Sequence, residues 1–189
     1  LKGAKAVLGF HNYPTLKVGE FAIKSGAITS AVDRFEFNVK GKGAHAAKPE
    51  QGNDPVIVVG QLINSLQTIV SRNLSAFDSA VVTIGEISCG NTWNVIADKA
   101  YIQGTVRSFD EDKRHYIENR MKNIADGLSR VFNVDIDLTY SRLPGAVVND
   151  AHLTQEAIEV AKNVGYHVSM LDEPVTIGAV SYTHLTLPT

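Results

Sequence analysis

The feature of this chain that most restricts its fold is a repeated alternation between strand-like and helix-like spacing of its apolar residues. Residues 34–40 alternate apolar and polar side chains, which is typical of a half-buried strand. Asp54 is placed to cap a helix that begins at Pro55, where the missing N–H costs nothing. The predicted apolar face of this helix consists of Val59, Leu62, Ile63, Leu66, Ile69 and Val70.

Residues 80–138 are predicted to add two strands, a second helix and a fourth strand. Residues 80–84 and 99–107 have the composition of strands, and residues 85–91 between them are expected to form a hairpin connection. Asp110 is expected to begin a second helix. The apolar stripe of this helix is predicted to be Ile117, Met121, Ile124, Leu128 and Val131. A fourth strand is indicated by the alternating apolar residues Val134, Ile136 and Leu138.

The order β-α-β-β-α-β predicts an α+β fold of the ferredoxin-like type. Its expected form is a four-stranded antiparallel sheet with both helices on one face. After a break at Pro144 and Gly145, the spacing predicts one more amphipathic helix over residues 153–164 and a short strand over residues 166–170. Because the ferredoxin-like unit is already complete, this last helix and strand need another layer to pack against.

Composition excludes several classes of function. With 44% apolar and 20% charged residues the chain has a globular rather than a disordered composition. A net charge of −2 gives no electrostatic reason to expect nucleic acid or an anionic membrane as a partner. No apolar run reaches the ~18–20 residues that a membrane span requires. The single cysteine, Cys89, fits a reducing compartment, so the cytoplasm is the expected location.

The two ends indicate an internal fragment. The chain starts at Leu1 without a methionine, and residues 180–189 resemble a translated cloning sequence. We therefore expect residues 180–189 to be a non-native tail.

Two histidines stand in unusual settings. His11 follows an apolar segment and precedes Pro14, an arrangement that can aim an imidazole at a metal ion, although a lone histidine is more often a turn residue. His45 lies between Gly43 and small alanine residues, ahead of Pro49, Gly52 and the pair Asp54-Pro55. Small neighbours leave a side chain accessible, and an accessible imidazole can stabilise an oxyanion.

Two further polar residues accompany them. Asn94 lies in the segment Gly90-Asn-Thr-Trp-Asn94-Val-Ile-Ala-Asp98, and Arg107 ends the strand-like stretch that follows. Alternation places Arg107 on a polar strand face, which could equally be a solvated face, and Asn94 could equally be a turn residue. Trp93 either lines a route for substrate or packs in the core.

Together these motifs resemble the lid domain of the dinuclear-metal aminoacylase and carboxypeptidase family. The similarity is greatest to the amidohydrolases that cleave N-acyl amino acids, and it extends from about Gly9 to Ala179. The resemblance implies that residues 1–29 and 141–179 belong to an α/β metallopeptidase catalytic domain. It also implies that residues 30–140 form a lid that joins two subunits into a homodimer.

The resemblance assigns a role to each candidate residue. His11 would bind one of two divalent ions, with zinc as the default and manganese, cobalt or nickel also compatible. His45 would stabilise the oxyanion, often in the active site of the other subunit. Asn94 and Arg107 would bind the carboxylate of a small N-acylated amino acid. Because the other metal ligands and the general-base glutamate lie outside this chain, we expect the fragment alone to be inactive.

Two other classes of function compete with this interpretation. A ferredoxin-like nucleic-acid binder is disfavoured, because the strands lack an aromatic platform and the charge is slightly acidic. A non-catalytic module that binds a small molecule or mediates dimerisation has the same topology, and fold alone does not exclude it.

Overall fold

The computed structural model describes residues 6–174 of the chain as a mixed arrangement of strands and helices. Its strands and helices, in chain order, are β1 (Glu20–Ile23), β2 (Gly26–Thr29), β3 (Ala31–Lys40), β4 (Ala44–His45), α1 (Pro55–Thr68), β5 (Ala80–Cys89), β6 (Val95–Ile96), β7 (Lys99–Ser108), α2 (Glu111–Phe132), β8 (Asp135–Arg142), β9 (Val147–Asn149), α3 (Ala151–Asn163) and β10 (His167–Met170). A short 3-10 turn, Pro49–Gln51, precedes α1, and a π-helical turn, Ile69–Asn73, continues it.

Four strands form one antiparallel sheet in the order β5-β7-β3-β8. Both α1 and α2 pack against this sheet and against each other. The apolar core lies between them, and Phe35 and Phe37 of β3 are fully buried there beside Ile102 of β7. The predicted order of elements and the four antiparallel strands are thus confirmed.

The helices begin where local chemistry predicts. The Asp54 carboxylate accepts a hydrogen bond from the Val56 amide at 2.8 Å, and the Asp110 carboxylate accepts one from the Lys113 amide at 2.9 Å. The predicted stripe of α2 is wrong at one position, since Val131 is 73% exposed. Ala125 is buried instead, and Phe132, the last residue of α2, packs against the core.

The predicted hairpin connection over residues 85–91 is also wrong. Strand β5 continues to Cys89, and its pairing with β7 shifts by one residue between Ile84 and Glu86. A bulge of this kind absorbs one extra residue and lets a strand continue past a glycine. The connection between β5 and β7 therefore begins at Gly90, and β5 is twice as long as its alternating pattern indicates.

The segments that flank the four-stranded sheet pair with each other. Strand β1 pairs in parallel with β10, and β2 pairs antiparallel with β9. Helix α3 contacts both β1 and β10, so the predicted last helix and strand do find a further layer. The proposed non-native tail, residues 180–189, lies outside the described residues. Within residues 6–174 no helix combines the length and the apolar character needed to cross a membrane.

A buried ion pair joins the sheet, α2 and the segment after β8. The Arg114 Nε donates to the two Asp33 carboxylate oxygens at 3.0 and 2.9 Å, and Nη2 donates to one of them at 2.5 Å. The Tyr140 hydroxyl donates to the same carboxylate at 2.8 Å, and Arg114 Nη2 donates to the Leu143 carbonyl at 2.6 Å. These contacts with Asp33 raise the pKa of the Arg114 guanidinium. Burial, followed by the Asp33 contact, raises the pKa of the Tyr140 phenol.

Removing Arg114 should strongly destabilise the chain. The Asp33 and Arg114 side chains are 1% and 6% exposed, so Arg114→Ala leaves a buried carboxylate without its cation. The expected loss is about 3–5 kcal/mol in the free energy of unfolding, measured by urea denaturation. Arg72→Ala, on the exposed turn after α1, is the control and should stay within about 0.5 kcal/mol of the unsubstituted chain. Similar small losses in both variants would show that the pair contributes no more than a surface contact.

Candidate functional site

The turn that carries His45 is closed tightly at its base. Lys42 and Asn53 exchange two backbone hydrogen bonds of 3.0 and 2.9 Å. A Cβ atom on Gly41 would collide with the Asn53 carbonyl oxygen, and one on Gly52 would lie 2.7 Å from the Lys42 carbonyl oxygen. These glycines are therefore required by the contact between the two arms of the turn, in addition to leaving His45 accessible.

His45 is exposed on β4, and its tautomer is set by the backbone. The Ala47 amide donates a hydrogen bond to His45 Nδ1 at 3.1 Å. Because Nδ1 accepts this bond, the neutral imidazole carries its proton on Nε2. His45 therefore offers an N–H donor, which is the group that an oxyanion requires.

Asn94 lies next to the His45 turn. Strand β4 pairs with β6, so that His45 is opposite Val95, and the Ala46 amide donates to the Asn94 carbonyl oxygen at 3.1 Å. The Thr92 hydroxyl donates to the side-chain oxygen of Asn94 at 3.3 Å, which leaves the amide nitrogen as the donor for a ligand. The structure thus brings His45 and Asn94 together on one tip, defined here as residues 41–54 and 90–98.

A shallow depression of about 430 Å³ lies on this tip. Ala46, Val56 and Val95 contribute to its wall together with Trp93, which is 92% exposed. Core packing of Trp93, one of the two alternatives left open by the sequence, is therefore wrong. The half-buried Cys89 also lines the depression, and burial raises the pKa of its thiol.

Arg107 lies at the opposite end of the sheet. It is half-buried on β7, opposite Val32 of β3 and Val81 of β5, on the sheet face that points away from the helices. Arg107 is eight residues beyond Lys99, where β7 leaves the tip, and a strand rises about 3.3 Å per residue. Arg107 is thus about 26 Å from the start of its strand. The structure does not bring Asn94 and Arg107 of one chain together.

At the end of the sheet where Arg107 lies, the chain continues into the segments that flank the sheet. The Val32 amide donates to the Pro144 carbonyl at 3.0 Å, and the Leu143 amide donates to the Val32 carbonyl at 3.0 Å. Arg107, directly opposite Val32, is consequently close to the polypeptide that leads to β2 and β9, whereas the tip is remote from it.

His11 lies in the exposed segment before β1. Its Nδ1 is 2.7 Å from the Asn12 carbonyl oxygen, which can only accept, so Nδ1 carries the proton and Nε2 presents a lone pair. Such a backbone contact is the usual way in which a metal-binding histidine is oriented. No three His, Cys, Asp or Glu side chains cluster as a metal site among residues 6–174. His11 would therefore be one ligand of a site that needs others.

The sequence does not reveal the partners that orient these side chains. The Ala47 amide, the Thr92 hydroxyl and the Asn12 carbonyl are ordinary turn groups, and periodicity carries no signal for them. The asparagine and glycine residues at positions 90–94 are typical of a turn with local side-chain-to-backbone hydrogen bonds. They do not indicate which groups form those bonds.

Comparisons with known proteins agree on one family. The family described as the peptidase dimerisation domain of M20 enzymes matches residues 18–131. The chain is 44% identical to an N-acetyl-L-cysteine deacetylase of Bacillus subtilis over 82% of its own length and 37% of that protein. It is 36% identical to an N-acetyldiaminopimelate deacetylase of a Geobacillus species, over 83% of its own length and 42% of that protein.

Solved structures support the same assignment. The Bacillus subtilis protein YXEP, described as a dinuclear metal binding peptidase from the M20 family, superposes with a TM-score of 0.70 at 32% identity. The match covers 89% of this chain and 41% of that protein. The chain thus spans about two fifths of the length of such relatives.

Proposed function

Because the chain belongs to the M20 peptidase family, we propose that the whole protein is a metal-dependent amidohydrolase that cleaves N-acyl amino acids or related small conjugates. The relatives named as deacetylases of N-acetylcysteine and N-acetyldiaminopimelate support this class of substrate. The observation that carries the proposal is the Ala47–His45 hydrogen bond, which makes His45 an N–H donor beside Asn94. These two side chains can bind the oxygens of an acylated substrate.

The strand pairing supports a division of the chain into a lid and parts of a catalytic domain. Residues 30–140 would form a ferredoxin-like lid, and residues 1–29 and 141–179 would belong to the catalytic domain. The pairing of β1 with β10 and of β2 with β9 supports this division, because it joins the two flanking segments to each other.

His11 would be the contribution of this chain to the metal centre. Its Nε2 lone pair, held by the Asn12 contact, fits a divalent ion, and zinc is the default for an imidazole ligand. When bound, two such ions would activate water and polarise the amide carbonyl. The remaining ligands and a general-base glutamate would come from parts of the protein outside this chain.

His45 would donate its Nε2–H to the oxyanion that forms on the attacked carbonyl. A pre-oriented donor of this kind contributes about 10²–10³-fold to turnover. Asn94 would donate from its amide nitrogen, and Arg107 would bind the free carboxylate through its planar fork.

The length of the sheet supports a site built from two subunits. An N-acyl amino acid extends over about 7 Å, the length of two residues. It cannot contact the tip and Arg107 of one chain when these are about 26 Å apart. We therefore propose that His45 and Asn94 come from one subunit, and that Arg107 and the catalytic domain come from its partner.

The exposed edge of the sheet offers a surface through which two copies could form that dimer. Strand β5 lies at one edge of the sheet, and its Val81 and Ile87 are each 48% exposed. The opposite edge, β8, presents polar residues such as Asp137 and Thr139. Apolar edge strands are normally covered, so β5 is the edge that a second copy would pair with.

Metal analysis combined with kinetics on the whole protein tests the two histidine roles. His11→Ala should lose one metal equivalent and nearly all activity, because no other imidazole replaces the ligand. His45→Ala should keep both metals and lose about 10²–10³-fold in kcat. His152→Ala, on the exposed face of α3, is the control and should change neither. Equal metal loss in the His11 and His45 variants would contradict the role of His45 as a donor.

A charge on the apolar edge should separate the subunits. Ile87→Lys places an ammonium group on the strand edge that a second copy would cover, where its desolvation would oppose the contact. Sedimentation velocity should then show a shift from dimer to monomer. Thr139→Lys on the polar edge β8 is the matched control and should leave the dimer intact. A dimer that survives Ile87→Lys and dissociates with Thr139→Lys would assign the interface to β8.

A further inference from the structure

We propose that Asn53 is a positioning residue that anchors the His45 turn to the C-terminal end of α2. The Asn53 Nδ2 donates to the Asn133 carbonyl at 2.8 Å and to the Phe132 carbonyl at 3.3 Å. These two carbonyls lie at the end of α2, beyond the reach of its own backbone donors. One amide group therefore fastens the turn to the helix.

The same residue holds the turn together through its backbone. Its amide and carbonyl form the two hydrogen bonds with Lys42 that close the turn. Asp54 follows directly and caps α1. Asn53 is consequently the point at which the His45 turn, the start of α1 and the end of α2 are joined.

The turn depends on such an anchor because its own backbone is permissive. Gly41, Gly43 and Gly52 lie on its two arms, and glycine restricts the backbone less than any other residue. His45 keeps its tautomer only while Ala47 remains in hydrogen-bonding position. Loss of the Asn53 contacts would therefore change the geometry of the turn, and with it the position of the His45 imidazole. The catalytic consequence of this anchor rests on the function proposed above, whereas the anchor itself does not.

The end of α2 explains why an amide is suited to this position. Asn133 adopts a left-handed conformation with φ of 51°, which stops the helix after Phe132. The C-terminus of a helix carries partial negative charge, so it favours an N–H donor and disfavours a carboxylate. In Asn53→Asp the side chain keeps nearly the same size. Its amide donor is replaced by a carboxylate, which the negative end of α2 repels.

Hydrogen exchange on this chain tests the anchor without any activity. In Asn53→Asp the amides of Lys42, Ala46 and Ala47 should exchange at least about tenfold faster, which corresponds to about 1.4 kcal/mol. The amide of Ile102 in the core should keep its rate. Unchanged rates in the turn would overturn the proposal, and so would an equal acceleration at Ile102, because that would be a general loss of stability.

A second carboxylate at a helix end supplies the matched control. Asn163 is the last residue of α3, remote in sequence from the His45 turn. Asn163→Asp adds the same charge at a helix C-terminus, and it should leave the exchange rates of the turn unchanged. Faster exchange of Ala46 and Ala47 in Asn163→Asp would mean that charge alone, and not the anchor, controls the turn.

Kinetics on the whole protein test whether Asn53 acts through His45. Asn53→Asp should lower kcat by about tenfold or more, with KM little changed, in the protein that retains His45. In the His45→Ala background the same substitution should cost nothing further, because the group it positions is absent. Fully additive losses would overturn the positioning role. A whole protein without hydrolytic activity would contradict the proposed function, while the exchange rates would still decide whether Asn53 is the anchor.

Discussion

Asp33 places a carboxylate on the buried face of β3, and the elements around it are arranged to keep that charge paired. Arg114 reaches it from α2, and Tyr140 reaches it from β8. A buried charge without a partner costs several kcal/mol, so the position of α2 against the sheet is fixed by this contact as well as by apolar packing. Arg114 also binds the Leu143 carbonyl, which fixes where the chain leaves the sheet.

That constraint has a consequence for function. The ion pair and the chain crossings lie at the end of the sheet where β3 begins, and the His45 turn follows Lys40, where β3 ends at the opposite side. The length of β7 then separates Asn94 from Arg107 by more than a small substrate can span. The proposed binding of one substrate by both ends would therefore need two copies of the chain, and the exposed apolar residues of β5 offer a surface for their contact. Dimerisation is thus part of how the proposed active site is built.

Much of the fold follows from local sequence signals. The caps at Asp54 and Asp110 act within three residues, and the apolar spacing of α1 and α2 repeats every turn. The extension of β5 past Gly85 does not follow, because the bulge exists only in register with β7. Asp33 and Arg114 are 81 residues apart in the chain, and no local sequence pattern predicts a contact over that separation. For the candidate site, the motifs indicate which side chains matter, but their separation at opposite ends of a strand depends on the assembled sheet.

Mixing inactive variants of the whole protein tests the two-subunit site most directly. When His45→Ala and Arg107→Ala subunits exchange freely, half of the dimers are mixed, and each mixed dimer contains one intact site. Activity should therefore recover to about a quarter of that of the unsubstituted protein. A mixture of His45→Ala with Asn94→Ala subunits should show no activity beyond that of the two variants measured separately, because both residues come from the same tip and no intact site can form. Recovery in the second mixture, or none in the first, would contradict a site shared in this way.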